Sequence, residues 1–145
     1  LKSEGQEEAP SPFRVLIIDD ELGMRQMLRS FFEDHYPHFH VEEAPEGFVA
    51  GWKAHSLRPH LVLLDLRLPG LDGFRVCHLI RSFPGTQQAH IIAMTAYEED
   101  GAKEKILGLG ANDFLNKPFD LDTLKQKVER QVQKYEQGRL SNISR

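Results

Sequence analysis

Leu61-Val62-Leu63-Leu64-Asp65-Leu66-Arg67-Leu68-Pro69-Gly70-Leu71-Asp72-Gly73 is the stretch that decides the architecture of this chain. Four apolar residues run unbroken into one carboxylate, and a turn rich in proline and glycine follows. Such a run reads as a strand buried on both faces, the habit of parallel sheets, because a strand with one wet face alternates instead. Asp65 then stands where the strand ends. In open α/β sheets, ligands bind at the carboxyl ends of the strands. A first polar residue after a strand can equally do no more than cap a turn. On this stretch alone both readings of Asp65 stand.

Outward from it, the same grammar repeats. Toward the N-terminus, Phe13 to Ile18 is a second buried strand, and it too ends in acid, at Asp19, Asp20 and Glu21. Met24, Met27, Leu28 and Phe31 recur at i, i+3, i+4 and i+7, which predicts an amphipathic helix to about His35, stopped by Pro37. Phe39 to Ala44 alternates, as expected of a strand near a sheet edge. Gly47 to Leu57 is a modest helix.

Beyond Gly73, a helix to Phe83 carries Phe74, Cys77 and Ile80 on one face. His90 to Met94 is a strand ending in Thr95-Ala96. Glu98 to Leu109 is a short polar helix weakened by Gly101 and Gly108. Phe114 to Asn116 is a fifth strand ending in Lys117-Pro118. Asp120 can cap a last helix with Leu121, Leu124, Val128 and Tyr135 at heptad-like steps. Residues 1–12, rich in Glu and Pro, read as a disordered tail, 13–137 as one domain, and 138–145 as a C-terminal tail or the start of a linker to an output domain. Strands alternating with helices imply βαβ units and a parallel sheet covered on both faces.

The bulk composition narrows the function. A length of 145 residues suits one domain with a real core. A net charge of -4 argues against a general nucleic-acid or membrane-surface binder. Cys77 is the single cysteine, so no internal disulfide forms, which fits a cytoplasmic setting, and buried filler is expected of it rather than a catalytic thiol. No apolar run reaches membrane-spanning length.

In a parallel sheet all the strand ends share one edge. Asp19, Asp20, Asp65, Thr95 and Lys117 would therefore converge on one crevice. Crowded carboxylates repel and call for a cation. Magnesium suits an all-oxygen donor set, whereas zinc would want thiolate or imidazole. With a cation offsetting its charge, a carboxylate can act as a nucleophile toward phosphorus. Lys117 would offset charge on the phosphoryl oxygens, and Thr95 would donate a hydrogen bond to one of them.

The set Asp19-Asp20-Glu21, Asp65 with Leu68-Pro69-Gly70-Leu71-Asp72-Gly73, Thr95-Ala96 and Lys117-Pro118-Phe119 resembles the receiver domain of bacterial two-component response regulators, over about residues 13–136. The resemblance implies a flavodoxin-like (βα)5 doubly wound fold, α/β, with strand order 2-1-3-4-5. It implies a phosphoprotein of two-component signal transduction or a phosphorelay, not an enzyme acting on other molecules. Asp65 would accept a phosphoryl group from a sensor histidine kinase or phosphotransfer protein. Asp20 and Asp65 would ligate Mg2+ directly, Asp19 through water, and the backbone carbonyl of Arg67 would be a further ligand. Lys117 would pair with Asp65 or its phosphate, and its bond to Pro118 is typically cis. Thr95 and Phe114 would be the switch pair, acting on helix 4, strand 5 and helix 5, a surface that often mediates homodimer or partner contacts. Arg67 and Tyr97, both bulky, border the path of attacking water and would slow loss of the phosphoryl group.

Other readings remain to be weighed. A magnesium-dependent phosphohydrolase usually needs an Asp-x-Asp after its first strand, which the adjacent Asp19-Asp20 pair does not supply. An inert module that merely keeps the fold sits poorly with the complete Asp20, Asp65, Thr95 and Lys117 set. The histidines at 35, 38 and 40 can suggest a transition-metal site but more often form a solvated loop. Trp52 is expected to pack. Lys125, Lys127, Arg130 and Lys134 alternate with Glu129 and Glu136, the pattern of a solvated helix face and not of a DNA-binding one.

Overall fold

The computed structural model describes residues 11–96 and 101–143. Five strands alternate with five helices: β1 (Arg14–Ile18), α1 (Leu22–His35), β2 (His40–Ala44), α2 (Gly47–Leu57), β3 (Leu61–Asp65), α3 (Gly73–Ser82), β4 (His90–Thr95), α4 (Ala102–Gly108), β5 (Asp113–Asn116) and α5 (Leu121–Ile143). The sheet is parallel throughout, in the order β2-β1-β3-β4-β5, the flavodoxin-like arrangement.

The apolar runs explain why the sheet is doubly covered. Alternate residues of each central strand feed opposite cores. Leu16, Ile18, Val62, Leu64, Ile91 and Ala93 join Ala50, Ala54, Val76, Cys77, Ile80 and Ile106 from α2, α3 and α4. Val15, Ile17, Leu61, Leu63, Ile92 and Met94 join Leu28, Phe31, Phe32, Leu124 and Val128 from α1 and α5. Burying an aliphatic side chain of this size is worth about 1.5–3 kcal/mol. A polar residue in β1 or β3 would therefore be felt on whichever face it entered. The edge strand β2 is less buried, as its alternation predicted.

Register sets the functional edge. Ile18 pairs with Leu64, and Asp65 with Met94, so Asp19 and Asp65 leave the sheet side by side. Thr95 pairs with Asn116, which delivers Lys117 one residue later.

Several local expectations need correction. Trp52 does not pack inward: it is 70% exposed, because the buried face of α2 consists of Gly47, Ala50 and Ala54. Met27 is more exposed than the predicted stripe implies, and Phe32 takes its place in the core. Leu121 also faces solvent. The last helix runs on through Gly138 to Ile143, since one glycine in a helix of 23 residues costs only about 1 kcal/mol. The fourth helix is described from Ala102, so the part expected over Glu98 to Asp100 lies outside the described residues, as does Tyr97. Among the described residues no helix is long and apolar enough to cross a membrane.

Candidate functional site

Each acid is placed by the strand before it. Asp19 follows the buried end of β1, and its own side chain is fully buried. Its Oδ1 accepts from the Glu21 amide at 3.0 Å, turning the chain into α1. Asp20, next along, is exposed at the rim. Asp65 ends β3 with 5% of its surface exposed. One carboxylate oxygen from each of the three lies within 4.8 Å of the others. Among the described residues this is the group of three or more potential metal ligands that the fold assembles. The histidine run does not assemble into one: His35 bonds the Phe31 carbonyl and His40 pairs with Glu42.

The loop behind Asp65 is held tight by its glycines. Gly70 adopts φ +75°, a conformation that favours glycine. A Cβ on Gly73 would stand 2.5 Å from the Asp65 carbonyl oxygen, so only glycine lets α3 begin against the end of β3. Asp72 then caps α3 by accepting from the Arg75 amide at 2.9 Å.

Lys117 reaches in from the end of β5, where the Lys117-Pro118 bond is cis as expected. Its Nζ lies 2.6 Å from Asp19 Oδ2 and 3.5 Å from Asp65 Oδ2. The shorter contact is to Asp19, the acid with no access to water and so the one in greater need of a partner. Burial lowers the affinity of the Lys117 amine for its proton, but the hydrogen bond to Asp19 and the two carboxylate charges outweigh that and raise its pKa. Asp65 is pushed up to about 6, first by burial and then by the neighbouring Asp19 charge. Lys117 and the Arg67 amide, at 3.2 Å from Asp65 Oδ1, offset this only in part.

Thr95 is buried at the end of β4, and its carbonyl accepts from the Lys117 amide at 2.8 Å. Phe114 is half-buried and packs against the core under α2, α3 and α4. A cleft over this edge is lined by Asp20, Asp65, Arg67, Asp72, Lys105 and Lys117, among others. Lys105 and Phe74 are the cleft residues that sequence reasoning missed. The Lys105 ammonium sits 4.3 Å from the centre of the Phe74 ring. No local signal could have shown that α4 lays a cation over a ring at the start of α3.

Residues 15–129 match the sequence profile of the family described as response regulator receiver domain. The chain belongs to that family. The signal transduction histidine-protein kinase BarA of Escherichia coli (strain K12) is 35% identical over 118 residues, covering 81% of this chain and 13% of the kinase. The chain spans between 13% and 47% of the length of the curated relatives it matches. The solved receiver domain of a DNA-binding response regulator (merR) from Colwellia psychrerythraea 34H is 36% identical, with a TM-score of 0.79, over 83% of this chain and 98% of that one. The receiver domain of a Pseudomonas aeruginosa PAO1 sensor histidine kinase is 28% identical, with a TM-score of 0.74, over 84% of this chain and 98% of that one. That structure is described with a magnesium ion coordinated in its active site cleft. Receiver domains thus occur among the relatives both within histidine kinases and within response regulators.

Proposed function

We propose that this receiver domain takes a phosphoryl group onto Asp65 from the phosphohistidine of a sensor histidine kinase or a phosphotransfer protein. The observation that carries the reading is the setting of Asp65, a strand-end carboxylate flanked by two acids, with an amine 3.5 Å away. A carboxylate oxygen of Asp65 forms the new bond to phosphorus. The imidazole nitrogen of the donor leaves with the electron pair of the broken bond. Lys117 offsets charge on the phosphoryl oxygens, and the Thr95 hydroxyl donates to one of them.

The residues fit magnesium. The donors are all oxygen, and three carboxylates face one ammonium, an excess of negative charge that a divalent cation offsets. Asp19, Asp20, Asp65 and the Arg67 carbonyl would hold it. When bound, it supplies charge stabilisation to the oxygens of the group in transfer. The burial of Cys77 as a free thiol and the kinase partnership support a cytoplasmic setting.

The output is conformational, not turnover of other molecules. Phosphorylation would draw Thr95 toward the phosphate and let Phe114 turn inward, biasing α4, β5 and α5 between two arrangements. That surface would then dock a partner, an output domain or another copy. Arg67 and Tyr97 would shield the phosphoryl group from water. Substituting Arg67→Asn should then shorten its lifetime several-fold, and an unchanged decay rate would remove that role.

The decisive measurement is intact mass after incubation with acetyl phosphate and magnesium. The wild type should gain one phosphoryl group, and Asp65→Ala should gain none. An equal gain in Asp65→Ala would move the acceptor elsewhere.

A further inference from the structure

Helix α2 is apolar on two sides. Its inner side, Gly47, Ala50 and Ala54, is buried against the sheet. Its outer side carries Phe48, Gly51, Trp52 and His55, spaced i, i+3, i+4 and i+7, which makes one stripe along the solvent side. Phe48 is 66% exposed and Trp52 70%. Phe83, just past α3 and 46% exposed, widens the patch, its ring edge-on to His55. An apolar groove lined by Gly51, Ala54, Leu79, Ile80 and Phe83 runs between α2 and α3. A patch of exposed aromatics marks an interaction surface.

We propose that this face packs against the same face of a second copy, α2 antiparallel to α2, about a twofold axis between Gly51 and Trp52. Three observations choose that occupant. The first is shape. The axis sets Trp52 of each copy over Gly51 of the other and Phe48 over His55. A Cβ on Gly51 would meet nothing within 4 Å, so the indole finds room there. The second is charge. The stripe has an acid, Glu46, at its start and a base, Arg58, at its end. Antiparallel packing brings each acid to the other copy's base and opposes the two helix dipoles. The third is area. Phe48, Trp52 and Phe83 from each copy would together bury on the order of 1,000 Å², the low end for a specific interface, which suits a weak, reversible dimer.

The face sits beside β1, β2 and α3, away from α4, β5 and α5. Association through it does not require phosphorylation, so it can be tested apart from the proposed switch. Trp52 is the only tryptophan, and its emission reports its own burial. Sedimentation velocity and fluorescence from about 1 µM to about 1 mM should show a dimer forming as the emission moves to the blue, in wild type and Asp65→Ala alike. Trp52→Ser should weaken association by about tenfold or more.

Gly51→Leu separates specific packing from general stickiness. It adds apolar surface and favours the helix, so the fold is kept and melts no lower. It also occupies the seat of the second indole, so dimerisation should weaken. A wild type that stays monomeric with unshifted emission overturns the proposal. A Gly51→Leu variant that associates as tightly as the wild type, or tighter, overturns it too.

Discussion

The Asp65 side chain has little water around it, an acid beside it and its one amine at 3.5 Å. Burial, then the Asp19 charge, lifts its pKa from 3.8 to about 6. An acid whose folded-state pKa is raised takes up a proton on folding across that window, so lower pH favours the folded form. Above about pH 6 the metal-free protein carries a charge that burial disfavours, at a cost of at most about 3 kcal/mol at 1.36 kcal/mol per pKa unit. Asp65→Asn should therefore stabilise the chelator-treated protein at about pH 7.5, by about 1–3 kcal/mol. Thermal melting should show the gain, and it should fade as pH falls through 6 toward 4. A destabilised variant would show instead that the Lys117 and Arg67 contacts outweigh the burial. The crowding of acids was legible in the sequence, because strand ends can be read from apolar runs. That Lys117 lies closer to Asp19 than to Asp65 was not, because it turns on about an ångström of side-chain placement.

Arg81, near the end of α3, ties three elements together. Its Nε donates to the Gly110 carbonyl, Nη1 to the carbonyls of Gln87 and Ala89, and Nη2 to Asn112 Oδ1. Asn112 in turn accepts from the Ile91 amide and donates its own amide to the Ile91 carbonyl. The entries to β4 and β5 are thus pinned to α3 by one guanidinium. Removing it strands several carbonyls, each charged hydrogen bond being worth about 1.5–3 kcal/mol with strong non-additivity. Arg81→Ala should cost about 2–4 kcal/mol in urea unfolding, and Arg81→Lys should recover little, lacking the planar fork. Wild-type stability in Arg81→Ala would show the clamp to be redundant. No periodicity announces such a clamp, because its partners are 6 to 31 residues away and mostly backbone. The central strands β1, β3 and β4 were readable because both faces are buried and their inner positions are apolar. Helix α2 misled for the opposite reason. Its inward side is marked by small residues, while its bulky ones face outward.

The two edges of the sheet carry opposite chemistry. Acids gather at the carboxyl edge, while His60 and His90 stand at the amino edge, where the His90 amide bonds the His60 carbonyl at 2.9 Å. His60 Nδ1 accepts from the Arg14 amide at 2.9 Å, and its ring lies against Phe13 and Tyr135. Burial, then the Arg14 charge, lowers the His60 pKa from 6.5 to about 4. Burial lowers His90 to about 4 as well, with Asp113 opposing and Lys134, Arg81 and Lys127 adding to the drop. A histidine depressed on folding binds its proton more readily when unfolded. Its contribution is complete above pH 6.5 and is lost as pH falls toward 4. Each ring is partly exposed, so about 2 kcal/mol apiece is a fair discount from the full shift. Asp65 works the other way over much of the same window, but it is one proton against two. The metal-free domain should therefore lose stability, by about 1–3 kcal/mol, between about pH 7 and about pH 5. Denaturant midpoints measured across that range would show it. In His60→Asn the amide oxygen can still accept from Arg14 without taking a proton. Paired with His90→Gln, it should flatten or reverse the slope, because only the Asp65 effect then remains. A double variant that weakens as steeply as the wild type would place the acid sensitivity away from these two rings.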